Sequence, residues 1–266
     1  MRFAKRRGGT LVAAAVAAVA AAALLGTAPA SADGSPKGDG DGHGNGSGAD
    51  HWGVITRNTI GSPVVALRNG PFGSFGVPGA EAGPPYGQGS LGIEVADNST
   101  TLTPPSEKAD FGNEVDFFGD RVRDLRKLGF HVFQTGENVT YGGPRNLPNI
   151  RFEIDPNLSG LQDDYSTMVW VPDAVTQTNR WSPFLNATTT GHWYLTGNET
   201  ECTQATPCTF AALKESLDDG GEEATILTAA VGKGRDHMWI GAVDGLRIND
   251  RIYDFEADGV RERRVG

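Results

Sequence analysis

The chain has 266 residues, with 33 acidic against 23 basic side chains and a formal charge of −10. So acidic a body repels nucleic-acid phosphates, and no basic stripe offsets it, which excludes a DNA- or RNA-binding role.

At the N-terminus, Arg2, Lys5, Arg6 and Arg7 form a basic head, and an Ala- and Val-rich apolar run from Leu11 to Leu25 follows. Two overlapping small-x-small cleavage sites come next, Ala28-Pro29-Ala30 and Ala30-Ser31-Ala32. The run is shorter than the roughly 20 residues that cross a bilayer, so residues 1–32 read as a secretory leader. The expected location is extracellular, with no stable membrane anchor. The Arg6-Arg7 pair leaves twin-arginine export open, but Gly8-Gly9-Thr10 lacks the apolar pair that route uses, which favours the general one. Loss of the four basic leader residues takes the charge from −10 to about −14. Residues 33–50 repeat Gly, Asp and Ser and contain nothing to bury, so they read as a flexible linker. Asp39-x-Asp41 begins like a calcium loop but lacks the downstream Glu.

The remaining body, 51–258, is long enough for one core, with 259–266 as a C-terminal tail. Period-two alternation dominates it. Strands are expected over 63–67, 129–134, 192–196, 224–231 and 239–243, and over 246–255 broken by a turn at Asn249-Asp250. Leu91, Ile93 and Val95 share a face, as do Ile150, Phe152 and Ile154 opposite Arg151 and Glu153. Thr167, Val169 and Val171 alternate with Ser166, Met168 and Trp170. One helix is expected, over 210–217, with Phe210, Leu213 and Leu217 on one face, Thr209 as N-cap and Gly220-Gly221 as the stop. Many short strands between Gly, Pro and Asn turns predict an all-β, antiparallel jelly-roll β-sandwich with one short helix. Cys202 and Cys208, six apart in an exported chain, are expected to form a disulfide around Pro207. The closed loop is short, so the chain-entropy gain is about 2 kcal/mol.

Four segments carry a resemblance. They are Asn149-Ile150-Arg151-Phe152-Glu153-Ile154-Asp155-Pro156-Asn157-Leu158, Tyr165 to Pro172, Ala224-Thr225-Ile226, and Val243 to Asn249 with Tyr253-Asp254-Phe255-Glu256. Over about 90–256 the chain resembles a family of secreted bacterial β-sandwich domains of the carbohydrate-binding, jelly-roll kind. The resemblance implies the fold and a short Cys loop, and it assigns no binding residue.

Glu114-Val115-Asp116-Phe117-Phe118-Gly119-Asp120 approaches the Glu-x-Asp-x-(x)-Glu strand of laminarinase-type glycosidases. There alternation sets two carboxylates about 5 Å apart across a sugar. Here Phe118 and Gly119 occupy the positions of the second Glu and Asp120 falls on the opposite face, so a glycoside hydrolase is the lesser alternative and an acidic strand end the simpler reading. The five histidines, His43, His51, His131, His192 and His237, have no ligand spacing outside the linker, and His131 reads as structural. The aromatic residues point to sugar stacking instead. Trp181, with Asn179 and Arg180 beside it, is the leading ligand candidate, followed by Trp170, Trp193 and Trp239. A structural calcium, if bound, is expected at Asp155 with Asn157, at Asp163 with Asp164, or at Asp244, Asp254 and Glu256. The leading expectation is a secreted, non-catalytic protein that binds glycan or cell-envelope polysaccharide. A structural extracellular or surface-associated protein is the second.

Overall fold

A computed structural model describes residues 51–70, 83–160, 165–197 and 199–266. The leader, the linker and the Asp163–Asp164 pair named above lie outside them. Two antiparallel sheets face each other. The first has six strands in the order β1 (Trp52–Val54), β4 (Ala109–Asn113), β10 (Thr225–Lys233), β6 (Asn149–Asp155), β7 (Ser166–Val171) and β9 (His192–Leu195). The second runs β13 (Gly259–Arg264), β12 (Arg251–Glu256), β11 (Trp239–Ile248), β3 (Gly89–Val95), β2 (Val64–Asn69). Its remaining two strands are β5 (Leu128–Gln134), paired with β11, and β8 (Leu185–Asn186), paired with β5. The antiparallel sandwich is therefore as expected. Its strand order does not by itself make it a jelly roll.

The core lies between the sheets and is filled by the alternating residues of both. Leu91, Ile93 and Val95 meet Ile150, Phe152, Ile154, Met168 and Val231 there, each buried aliphatic or aromatic side chain contributing about 1.5–3 kcal/mol. Trp170, Trp193 and Trp239 are fully buried in this core. Their expected place in a ligand platform is thus corrected: they stand in phase with the inward side chains, and Trp170 and Trp193 spend their indole N–H on the carbonyls of Thr190 and Ala187, at 2.9 and 2.7 Å.

Three further elements depart from the sequence expectation. The presumed tail is the edge strand β13, paired along β12 from Arg251↔Arg264 to Glu256↔Gly259. With Val260 as its one buried apolar residue it has no period-two signal; the hairpin and the Arg263–Asp254 ion pair at 2.6 Å position it. Strand β4 was hidden because the alternate positions in Ala109-Asp110-Phe111-Gly112-Asn113 are Asp110 and Gly112. Helix α1 (Gly136–Gly142) buries Asn138, whose amide pairs with both the N–H and the C=O of Ile240 (3.0 and 2.6 Å).

The expected helix forms as α2 (Phe210–Ser216), capped by the Thr209 hydroxyl, which accepts from the Ala212 N–H at 3.2 Å. The Cys202–Cys208 disulfide is formed. It holds its loop against β9, where Cys208 exchanges two 2.8 Å backbone bonds with Trp193 and Cys202 accepts from Leu195. The sheet edge at β9 is thereby covered. Among the described residues no helix is long and apolar enough to cross a membrane.

Candidate functional site

The outward face of the six-stranded sheet carries charged groups that are almost entirely withdrawn from water. Register sets them in rows across β4, β10, β6 and β7: Asp110–Gly232–Asn149, Gly112–Ala230–Arg151, and Thr228–Glu153–Thr167. Asp110, Arg151 and Glu153 are only 1%, 7% and 4% exposed. Desolvating an ion costs several kcal/mol unless partners compensate, and each of these groups has partners.

Gly112, Ala230 and Gly232 leave a shallow trough along the middle of this face. The Arg151 guanidinium crosses it to bind Asp110 Oδ1, and a Cβ at position 232 would collide with that carboxylate and with the Ala109 carbonyl. Asp110 Oδ2 lies 3.3 Å from Lys108 Nζ, within ion-pair range, but accepts no hydrogen bond among the described residues.

The chain after β1 folds back over the same face. Ile55 lies over Gly112, and the short turn Thr56–Asn58 presents Arg57 and Asn58 to Glu153. Arg57 donates from Nη1 and Nη2 to the two Glu153 oxygens at 2.7 and 2.5 Å, and from Nε and Nη2 to Glu114 Oε1 at 3.0 and 2.5 Å. Asn58 Nδ2 and the Tyr165 hydroxyl each donate to Glu153 Oε1 at 2.8 Å. Burial alone would raise the Glu153 carboxyl; hydrogen bonds from Arg57, Asn58, Tyr165 and Thr228 outweigh it and hold the group at about 2. The Tyr165 ring stands half exposed at the margin of the network.

This arrangement has a consequence for acid stability. The folded value of Glu153 lies below the 4.5 of a free glutamate, so its contribution is whole above pH 4.5 and is lost as the pH falls towards 2. Its full size is about 3 kcal/mol. In acid titration followed by tryptophan fluorescence, Glu153→Gln should unfold with a visibly flatter pH dependence below 4.5. An unchanged acid limb would show that the network does not hold the carboxylate ionised.

The other candidates are dispersed. Trp181 is half-buried on the outward side of the second sheet, bridged to Phe133 of β5, with ring centroids 5.8 Å apart. Asn179 and Arg180 beside it are exposed, and Asn179 takes a positive φ of 59° where the segment docks along β5. Glu114 and Asp116 do not share a strand face. Glu114 holds Arg57, whereas Asp116 lies beyond the end of β4 and pairs with His51 at 2.8 Å and Asn113 at 2.7 Å. His131 Nδ1 lies 3.0 Å from the Ser182 carbonyl, a structural contact, and burial lowers its basicity.

Of the calcium candidates, Asp155 and Asn157 form a turn in which Asp155 accepts from the Asn157 N–H at 3.1 Å and the Asn157 amide donates to the Glu223 carbonyl. Asp244, Asp254 and Glu256 do lie on one sheet face. Asp244 accepts from the Tyr86 and Phe255 N–H groups, Glu256 from Gln88 N–H, and Asp254 from Arg263. Among the described residues no group of three or more His, Cys, Asp and Glu side chains is arranged to hold a metal ion.

The network on the six-stranded sheet was only half visible in the sequence. The alternation of Arg151 and Glu153 against Ile150, Phe152 and Ile154 marked them as outward-facing. Their partners Arg57, Asn58 and Asp110 lie 41 to 96 residues away, and no local pattern announces them. Comparison with known proteins gives no match to this chain from any family model, curated protein or solved structure.

Proposed function

We propose that the protein is an exported, non-catalytic module that binds a glycan across the outward face of the six-stranded sheet. The observation that carries this reading is the set of desolvated polar groups on that face beside the half-exposed ring of Tyr165. A ring of this kind stacks on the C–H face of a pyranose, while side chains already fixed by their own hydrogen bonds take its hydroxyls with little further loss of entropy. The leader pattern of residues 1–32 and the disulfide support an extracellular setting.

The test is retention of the full-length protein on insoluble peptidoglycan, chitin, cellulose and β-glucan, with calcium and with chelator. Retention on one polymer is expected, lost at least tenfold in Tyr165→Ala and kept in Trp181→Ala. The reverse pattern would move the site to the second sheet, and failure on all four polymers would overturn glycan binding. A structural protein that docks other chains is the second reading. It is favoured by the exposed Val54 on edge strand β1 and by Val115 and Phe118 in the loop after β4.

A further inference from the structure

We infer that the small cavity beside Tyr165 is the seat for one uncharged hydroxymethyl group, the primary alcohol of a hexose unit, an assignment that rests on the glycan-binding reading above. The cavity measures about 40 Å³ and is walled by Lys108, Asp110, Arg151, Glu153, Tyr165 and Ala230, among others. A single water needs about 10–15 Å³ measured this way, so the space suits a group of two heavy atoms and is too small for a sugar ring.

Its chemistry narrows the occupant further. Lys108 and Arg151 balance Asp110 and Glu153, so the walls carry no net charge. A carboxylate or an ammonium group entering here would find no net attraction from these walls to offset the loss of its own hydration. A methyl group would fit by size but leave Asp110 Oδ2 without a donor. That oxygen is buried and accepts no hydrogen bond among the described residues, although Lys108 Nζ stands 3.3 Å away. A hydroxyl satisfies both sides at once, donating to Asp110 Oδ2 and accepting from Lys108. Its methylene would lie against the Ala230 side chain, and the sugar ring would emerge beside the Tyr165 ring.

The experiment compares native cellulose, chitin and β-1,3-glucan with two derivatives of each, one deoxygenated at C6 and one oxidised there to the carboxylate. Full-length protein is titrated against each suspension. For any native polymer that is retained, both derivatives should bind about 10- to 100-fold more weakly, the usual penalty for leaving a buried polar group unpaired or opposed. Equal retention on either derivative overturns the hydroxymethyl seat while leaving glycan binding intact; no retention on any of these three native polymers overturns the seat, and failure on peptidoglycan as well overturns glycan binding with it. Ala230→Leu, which fills the cavity from β10, should lose the preference for the native polymer. If that variant does not fold, the derivative series decides alone.

Discussion

Arg151→Met should destabilise the sandwich by about 3 kcal/mol, towards the lower end of what removal of one partner from a buried ion pair costs. The loss comes from Asp110, which is 1% exposed and whose carboxylate accepts a hydrogen bond from the Arg151 guanidinium. Lys108, 3.3 Å from the other carboxylate oxygen, keeps part of the compensation and holds the cost below the upper limit of about 5 kcal/mol. The double variant Arg151→Met, Asp110→Leu removes the stranded charge as well and should recover most of the loss. Urea denaturation of the two single variants and the double variant gives the coupling directly. A single-variant cost under about 1 kcal/mol, or strict additivity, would show that the pair is solvated in solution.

The second large effect is a loss of stability towards alkaline pH. Asp244 is fully buried beneath the Tyr86 loop on the second sheet. Burial pushes its carboxyl up to about 7 from 3.8, against the opposing pull of the Phe255, Gly245 and Tyr86 N–H groups. Because the folded value lies above the unfolded one, the folded state holds the proton more tightly. The associated stability is whole below about pH 4 and is lost as the pH rises through 7. Its full size is about 4 kcal/mol. Glu153 acts in the opposite sense but at pH values below 4.5, so the two windows separate. Urea midpoints should therefore fall steeply from pH 5 to pH 8 in the native protein and much less in Asp244→Asn. The amide changes the hydrogen bonding to Tyr86 and Phe255, so the slope with pH is the quantity to compare. Identical slopes in both proteins would assign the alkaline loss to another group.

Most of the sandwich was legible in advance because its strands are half-buried. Where one face meets the core, as in Leu91–Val95 and Ile150–Ile154, alternation marks the strand and its inward side chains together. The same logic fails where both faces are out of the ordinary. Strand β4 places Asp110 and Gly112 outward, and β13 has one apolar residue to bury, so neither shows the pattern. The tryptophans illustrate the complementary failure. Alternation tells which residues share a face with Trp170 and Trp193, but the pleat is symmetric, and only packing decides which face is dry.

The sequence by itself determined the all-β class, the helix at 210–217 with its Thr209 cap, the hairpin turn at Asn249-Asp250 and the pairing of Cys202 with Cys208. Each of these depends on residues close together along the chain, so local stereochemistry suffices. Only the tertiary structure decided that Trp170, Trp193 and Trp239 belong to the core. It alone brought Arg57, Asp110, Arg151, Glu153 and Tyr165 onto one outward face. Those contacts close loops of up to 96 residues, and what selects them is the register of β4, β10 and β6 together with the room left by Gly112, Ala230 and Gly232. Register is a property of several strands at once, and no single stretch of sequence contains it.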